Sequence, residues 1–178
     1  MKRIGIITAL SMLLLALSAS VALAVAPGTY PGSLTAGNAP GSSHLTSGTV
    51  QCVVNASLDV NCGAYVLGGV GHTDANVVLT ANYTAIIDCF NGGSDGGPIE
   101  SHTTSFSPTS QTKLTAAKNG QLSVLEETAS FSGAPIGCPN SNWTPKVRPG
   151  TLKLTSFTYT LTFVGFTSPY VKITASDP

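Results

Sequence analysis

The stretch NVVLTANYTAIIDCF, residues 76–90, decides the fold. Val77, Leu79, Ala81, Tyr83, Ala85, Ile87 and Cys89 fall on one side of an extended chain. Thr80, Asn82, Thr84 and Asp88 fall on the other. Successive side chains of a strand point to opposite faces, so alternation this long marks a strand with one buried side. Cys89 therefore starts from the core side.

A second long strand, TLKLTSFTYTLTFVGF (151–166), carries a phase defect. Leu152 and Leu154 are even-numbered, whereas Phe157, Tyr159, Leu161 and Phe163 are odd. One face holds both sets only if an extra residue intervenes, which predicts a β-bulge near Thr155–Ser156. Thr158, Thr160 and Thr162 then line the outside. YVKITAS (170–176) supplies a last strand, with Val171 and Ile173 inward. TVQCVVNASLDVNCGAYVLGG (49–69) reads as a hairpin turning near Asn55–Leu58. Its turn is centred midway between Cys52 and Cys62, so the two cysteines face each other at disulfide distance. Residues 113–120, KLTAAKNG, are the one place where a short helical turn competes.

Strands, polar turns and one core give an all-β chain: a single antiparallel β-sandwich, with an immunoglobulin-like Greek key favoured and a closed barrel as the alternative. The expected core comprises Val77, Leu79, Tyr83, Ile87, Leu152, Leu154, Phe157, Tyr159, Leu161, Phe163, Val171 and Ile173.

The N-terminus, MKRIGIITALSMLLLALSASVALA, has a basic start, an apolar run and an A-x-A-like end. It reads as a signal peptide over 1–24, cut after Ala24. A cut after Ala26 would leave Pro27 first. No second apolar run follows, so no membrane span is expected in the mature chain. Residues 25–48 are half Pro, Gly or Ser and read as a flexible arm. The β-sandwich domain takes 49–178. Without the leader, six basic and eight acidic side chains remain. Sparse, slightly acidic charge excludes the electrostatic footprint of a nucleic-acid binder.

All four cysteines follow the leader, an even number that fits disulfides in an exported chain. No C-x-x-C pair suits a cysteine-bound metal. With Cys52 joined to Cys62, Cys89 and Cys138 are left for each other. That bridge ties the loop NGGSDGGP (91–98) to the segment IGCPNSNWTPKVRPG (136–150), where Pro139 and Pro145 stiffen a stretch that need not pair in a sheet. Trp143, the only tryptophan, then folds back as a plug over the core or stands out as a glycan-stacking platform. If there is a ligand, Asn91, Asp95, Asn140, Asn142 and Trp143 form its site.

The two-cysteine hairpin, GGVGHTDANVVLTANYTA (68–85), CFNGG (89–93), CPNSNW (138–143) and the Thr-rich final strands carry a resemblance. Roughly over 50–178, the chain resembles an uncharacterised group of small secreted β-sandwich-type proteins of Gram-positive, actinomycete-like bacteria. The resemblance implies secretion and brings no catalytic residues with it.

Chemistry is thinly spread. GHTD and IESH place His72 with Asp74 and Glu100 with His102, each pair on one side of an extended chain. Together they are candidate metal ligands; apart, they are two solvated turns. Glu126 and Glu127 are adjacent and point to opposite faces, so they cannot flank one glycosidic bond. No G-x-S-x-G elbow occurs, and the Gly-rich loop lacks a phosphate-loop lysine. Asp95 alone is too little for calcium. Asn55, Asn82 and Asn142 begin N-x-[ST] patterns, incidental in a bacterium. No cofactor is expected. The reading is a secreted, non-catalytic protein that binds cell-wall glycan or another extracellular protein, or serves in the envelope. The alternatives are a secreted hydrolase using loop acids and histidines, and a secreted enzyme inhibitor.

Overall fold

The computed structural model describes residues 24–92, 96–132 and 136–177. The expected leader, apart from Ala24, lies outside them. The chain opens with β1 (Gly28–Pro31), β2 (Ser33–Leu34) and β3 (His44–Gly48). A hairpin of β4 (Gln51–Val54) and β5 (Val60–Cys62) leads to β6 (Tyr65–Gly68) and then to β7 (Ala75–Asn91), the longest strand. After it come β8 (Glu100–Phe106), β9 (Thr109–Leu114), β10 (Leu122–Val124) and β11 (Glu127–Ala129). The chain closes with β12 (Trp143–Val147), β13 (Lys153–Phe163) and β14 (Val171–Ser176).

All pairings are antiparallel, as the periodicity requires of strands with one wet face. The large sheet runs β12-β7-β13-β14-β2, with β8 and β9 on the other edge of β7. β8 and β9 keep one register against β7, from Glu100 opposite Cys89 to Leu114 opposite Ala75. Only Ser107–Pro108 separates them; proline lacks the ladder N–H, yet its carbonyl still accepts from Ala81 at 3.1 Å. Two smaller sheets, β1-β4-β5-β11 and β10-β6-β3, form the facing layer.

Tyrosines join the layers. Tyr65 and Tyr159 share a buried hydroxyl–hydroxyl bond of 3.1 Å. The Tyr83 hydroxyl donates to the carbonyls of Leu58 (2.9 Å) and Ala129 (3.2 Å) in the facing sheet. Tyr30 stands edge-on to Phe157, ring centres 5.2 Å apart. A buried hydroxyl is costly unless it finds a partner, so these bonds fix how the two sheets sit on each other.

The expected core is buried in every member but Leu152, which is half-buried against it. The register of β13 on β7 slips between Leu154 and Ser156, so Thr155 is the extra residue that brings even-numbered leucines and odd-numbered aromatics to one face. Cys52 pairs with Cys62 in the hairpin register, and both expected disulfides are formed. KLTAAKNG is the end of β9 and a turn, with no helix.

Two expectations are corrected. Residues 25–48 are no flexible arm. β1 pairs β4, β2 pairs β14 and β3 pairs β6, so this segment edges all three sheets. Two of its glycines are part of the packing: a Cβ on Gly32 would lie 2.7 Å from Val50 and 2.8 Å from Ile173. At Gly48, where φ is +82°, it would lie 2.9 Å from the Ala64 carbonyl oxygen. Short edge strands built from close-packed glycines carry no apolar period, and composition alone reads them as linker. The tryptophan segment is corrected too. It pairs as β12 at the sheet edge, Pro145 opposite Cys89, where a missing N–H is tolerated.

The Cys52–Cys62 bridge closes a separation of 10 residues and Cys89–Cys138 one of 49. By loop entropy the longer bridge stabilises more, by about 1.4 kcal/mol. Urea titrations of the Cys52→Ala/Cys62→Ala and Cys89→Ala/Cys138→Ala variants should rank in that order.

Burial raises the tyrosine pKa values: Tyr83 and Tyr159 are each pushed up to about 12, and Tyr65 also rises, with its Tyr159 neighbour adding to the effect. An acid raised in the folded state stabilises fully below its unfolded pKa and loses that contribution as pH climbs through the folded value. The melting temperature should therefore fall between pH 10 and 12, from ordinary values of 10.0. Tyr65→Phe, which strands one hydroxyl, should cost about 1 kcal/mol at neutral pH.

Candidate functional site

The C-terminal half of β7 carries β8 on one edge and β12 on the other. Rank by rank, Glu100, Cys89 and Pro145 lie side by side, and the next inward rank holds His102, Ile87 and Val147. Trp143 lies opposite Asn91 and shares the inward side with Cys89. The Cys89–Cys138 bridge fastens the chain that enters β12 to this end, with Cα atoms 5.9 Å apart.

Each expected ligand-site residue has a definite place except Asp95, which lies outside the described residues. Asn140 makes the tight entry to β12: its side-chain oxygen accepts from the Asn142 N–H at 2.9 Å and its carbonyl from the Trp143 N–H at 3.0 Å. Short polar side chains that bond the backbone two residues on are what set such turns. Asn91, Asn140 and Asn142 are exposed. Trp143 is half-buried and packed on the core, the geometry of a plug rather than of a free-standing platform.

The four candidate metal ligands do not meet. His72 and Asp74 precede the start of β7, whereas Glu100 and His102 flank its far end. Fourteen residues of strand, roughly 45 Å, separate the pairs. Asp74 is a turn residue whose carboxylate accepts the Ala116 N–H at 3.0 Å. Among the described residues no group of three or more His, Cys, Asp or Glu side chains is placed to hold a metal. His102 keeps one notable feature: its Nδ1 is buried with no hydrogen-bond partner among the described residues.

Glu126 and Glu127 part as adjacent strand residues must. Glu126 is exposed and accepts from Asn61; Glu127 is buried and accepts from the Ser110 hydroxyl. They cannot act on one bond.

Sequence reasoning missed the cluster on the outward side of the same end. Arg148 grips Asp88 with two bonds, Nη2 to Oδ1 at 2.7 Å and Nε to Oδ2 at 3.1 Å. Ser101 donates to Oδ1 at 2.6 Å and accepts from Arg148 at 2.9 Å. The guanidinium, then the hydroxyl, hold the Asp88 carboxyl below its ordinary range. Three strand edges are tied together by this fork-and-carboxylate pair. Its signal was Asp88 on the wet face of the longest strand; its partner came from sixty residues away. Lys146 sits over the Phe90 ring, 5.1 Å from its centre.

Comparison with known proteins finds no matching family model, no similar curated protein and no similar solved structure.

Proposed function

We propose that this chain is a secreted, non-catalytic β-sandwich protein that binds a cell-wall glycan or another extracellular protein through its cross-linked loop end. The observation that carries this reading is the Cys89–Cys138 bridge, which ties the segment entering β12 to the end of β7. Loops fixed to a scaffold are the usual seat of recognition, and a cross-link lowers the entropy lost on binding. Exposed Asn140 and Asn142 offer amides there, Trp143 a half-exposed ring, and His102 a buried nitrogen still lacking a partner among the described residues.

Export is supported by the two disulfides, which persist in oxidising compartments. No helix among the described residues is long and apolar enough to cross a membrane. The cleavage site has a structural argument of its own. Val25 is buried, and its backbone nitrogen donates to the Leu154 carbonyl at 2.8 Å. A cut after Ala24 keeps this anchor; a cut after Ala26 discards it. The sequence resemblance to small secreted proteins of Gram-positive bacteria points the same way. The hydrolase alternative loses ground because its histidine–acid pairs sit at separate ends of β7, and because Glu126 is exposed on Asn61 while Glu127 is buried on Ser110.

Two measurements check this. N-terminal sequencing of the exported protein should begin at Val25. The single tryptophan is its own reporter: titration with soluble cell-wall glycan fragments should change Trp143 emission saturably with no fragment shortened. Trp143→Phe, titrated by calorimetry because it has no tryptophan to report, should keep the fold, since apolar bulk survives, and weaken binding. Turnover of the fragments, abolished by replacing Glu100 or His102, would replace this reading with the enzymatic one.

A further inference from the structure

The outward face of the large sheet is a second surface, independent of the loop end. From residue 25 onward the sequence has six cationic side chains, Lys113, Lys118, Lys146, Arg148, Lys153 and Lys172. The register puts four of them on this one face. Lys113 stands opposite Asn76, Lys146 opposite Asp88 and Lys153 opposite Thr84. Lys172 stands opposite Thr160, whose other neighbour is Val78. Arg148, just past β12, is held on the same side by Asp88, whose charge it balances. Lys118 lies apart, in the turn between β9 and β10. Asp59, Glu126 and Glu127 lie in or beside the facing sheets, and Glu100 and Asp177 lie at strand ends; Asp74, just before β7, lines a pocket with Lys113 while its carboxylate accepts the Ala116 N–H. The chain as a whole is slightly acidic without its leader, so this segregation is a feature of the fold.

We propose that this face binds an extended polyanionic polysaccharide, carboxylated or sulfated. Three observations set the chemistry. First, the lysines are strung out: from the rank of residue 88 to that of residue 76, the face extends about 40 Å along β7. One small anion cannot bridge such spacing, but a polymer with repeating charges can. Second, the ground between the cations is hydroxyl and amide. Thr109, Thr80, Thr158 and Thr174 form one row across four strands. In the next row Ser107 donates to Asn82 at 2.7 Å and Asn82 to Ser156 at 2.8 Å. Such groups donate to and accept from sugar hydroxyls and carboxylates alike. A groove of about 350 Å³, lined by Thr84, Ile86, Thr103, Gly150, Thr151 and Lys153, continues the surface toward β12. Third, the aromatic ring on these outward ranks, Phe90, is already covered by Lys146. Bases would find no stacking platform, which argues against a single-stranded nucleic acid.

The test is retention of the chain from Val25 onward on immobilised polygalacturonate and heparin, with uncharged dextran and duplex DNA alongside. The wild type should be retained by the carboxylated or the sulfated polymer, pass through dextran and be released by salt. The two polymer arms show which anion is preferred. Lys113→Glu/Lys172→Glu, changing two exposed side chains, should lower affinity about tenfold or more. Lys113→Gln/Lys172→Gln should lose less, and Lys118→Glu, off the face, should stay within about twofold of wild type. Trp143→Phe should be retained as wild type, which separates this surface from the loop end. Equal retention of wild type and the double charge reversal overturns the proposal, as does tighter binding to DNA than to either polysaccharide, or passage through both acidic polymers at low salt.

Discussion

β7 is paired along both edges for almost its whole length, and everything else is arranged by that constraint. One edge takes β9 and then β8; the other takes β13 and then β12. A strand paired on both sides has no freedom to slip, because moving one residue would turn its whole apolar set to water. Its odd-numbered residues therefore fix the inward side of four neighbours. The facing sheets can only settle onto that side, where Tyr83 and Tyr159 meet them with hydroxyl bonds.

What the sequence discloses follows from range. Alternation is a local property, so the faces of β7, β13 and β14 and the bulge at Thr155 can be read from neighbouring letters. The hairpin disulfide is local too, and the second bridge follows once the first is placed. Strand order is not local. Nothing in VAPGTYPGSLTAGNAPGSSHLTSG announces that three pieces of it will edge three sheets, since their partners are supplied by β4, β6 and β14. Trp143 gave a mixed signal for the same reason. Its plug-like packing was legible from its size and surroundings, whereas its pairing with Asn91 depends on an edge that only the assembled sheet offers.

The sites divide along the same line. The polar turn at Asn140 is written in adjacent residues. The supposed metal quartet failed because two short motifs that look alike on paper were placed at opposite ends of one strand. The cationic face was hidden by the opposite effect: lysines scattered over sixty residues are brought to one side by the common register of β9, β12, β13 and β14.

The seating of the N-terminal segment has a consequence for how the molecule forms. Ser33 and Leu34 close onto Lys172 and Val171, and Val25 onto Leu154, so β2 and Val25 find their partners only in β14 and β13, whereas β1 and β3 pair with the nearby β4 and β6. Contacts so distant along the chain make folding slow, because the loop-closure entropy is spent before the contacts return it. A ribosome delivers the two segments at different times, and the β14 edge does not exist until Val171–Ser176 have been made. β2 must wait, extended and uncommitted, and the glycine-rich, weakly apolar sequence around it suits a stretch that has to remain unpaired without aggregating before it becomes structure.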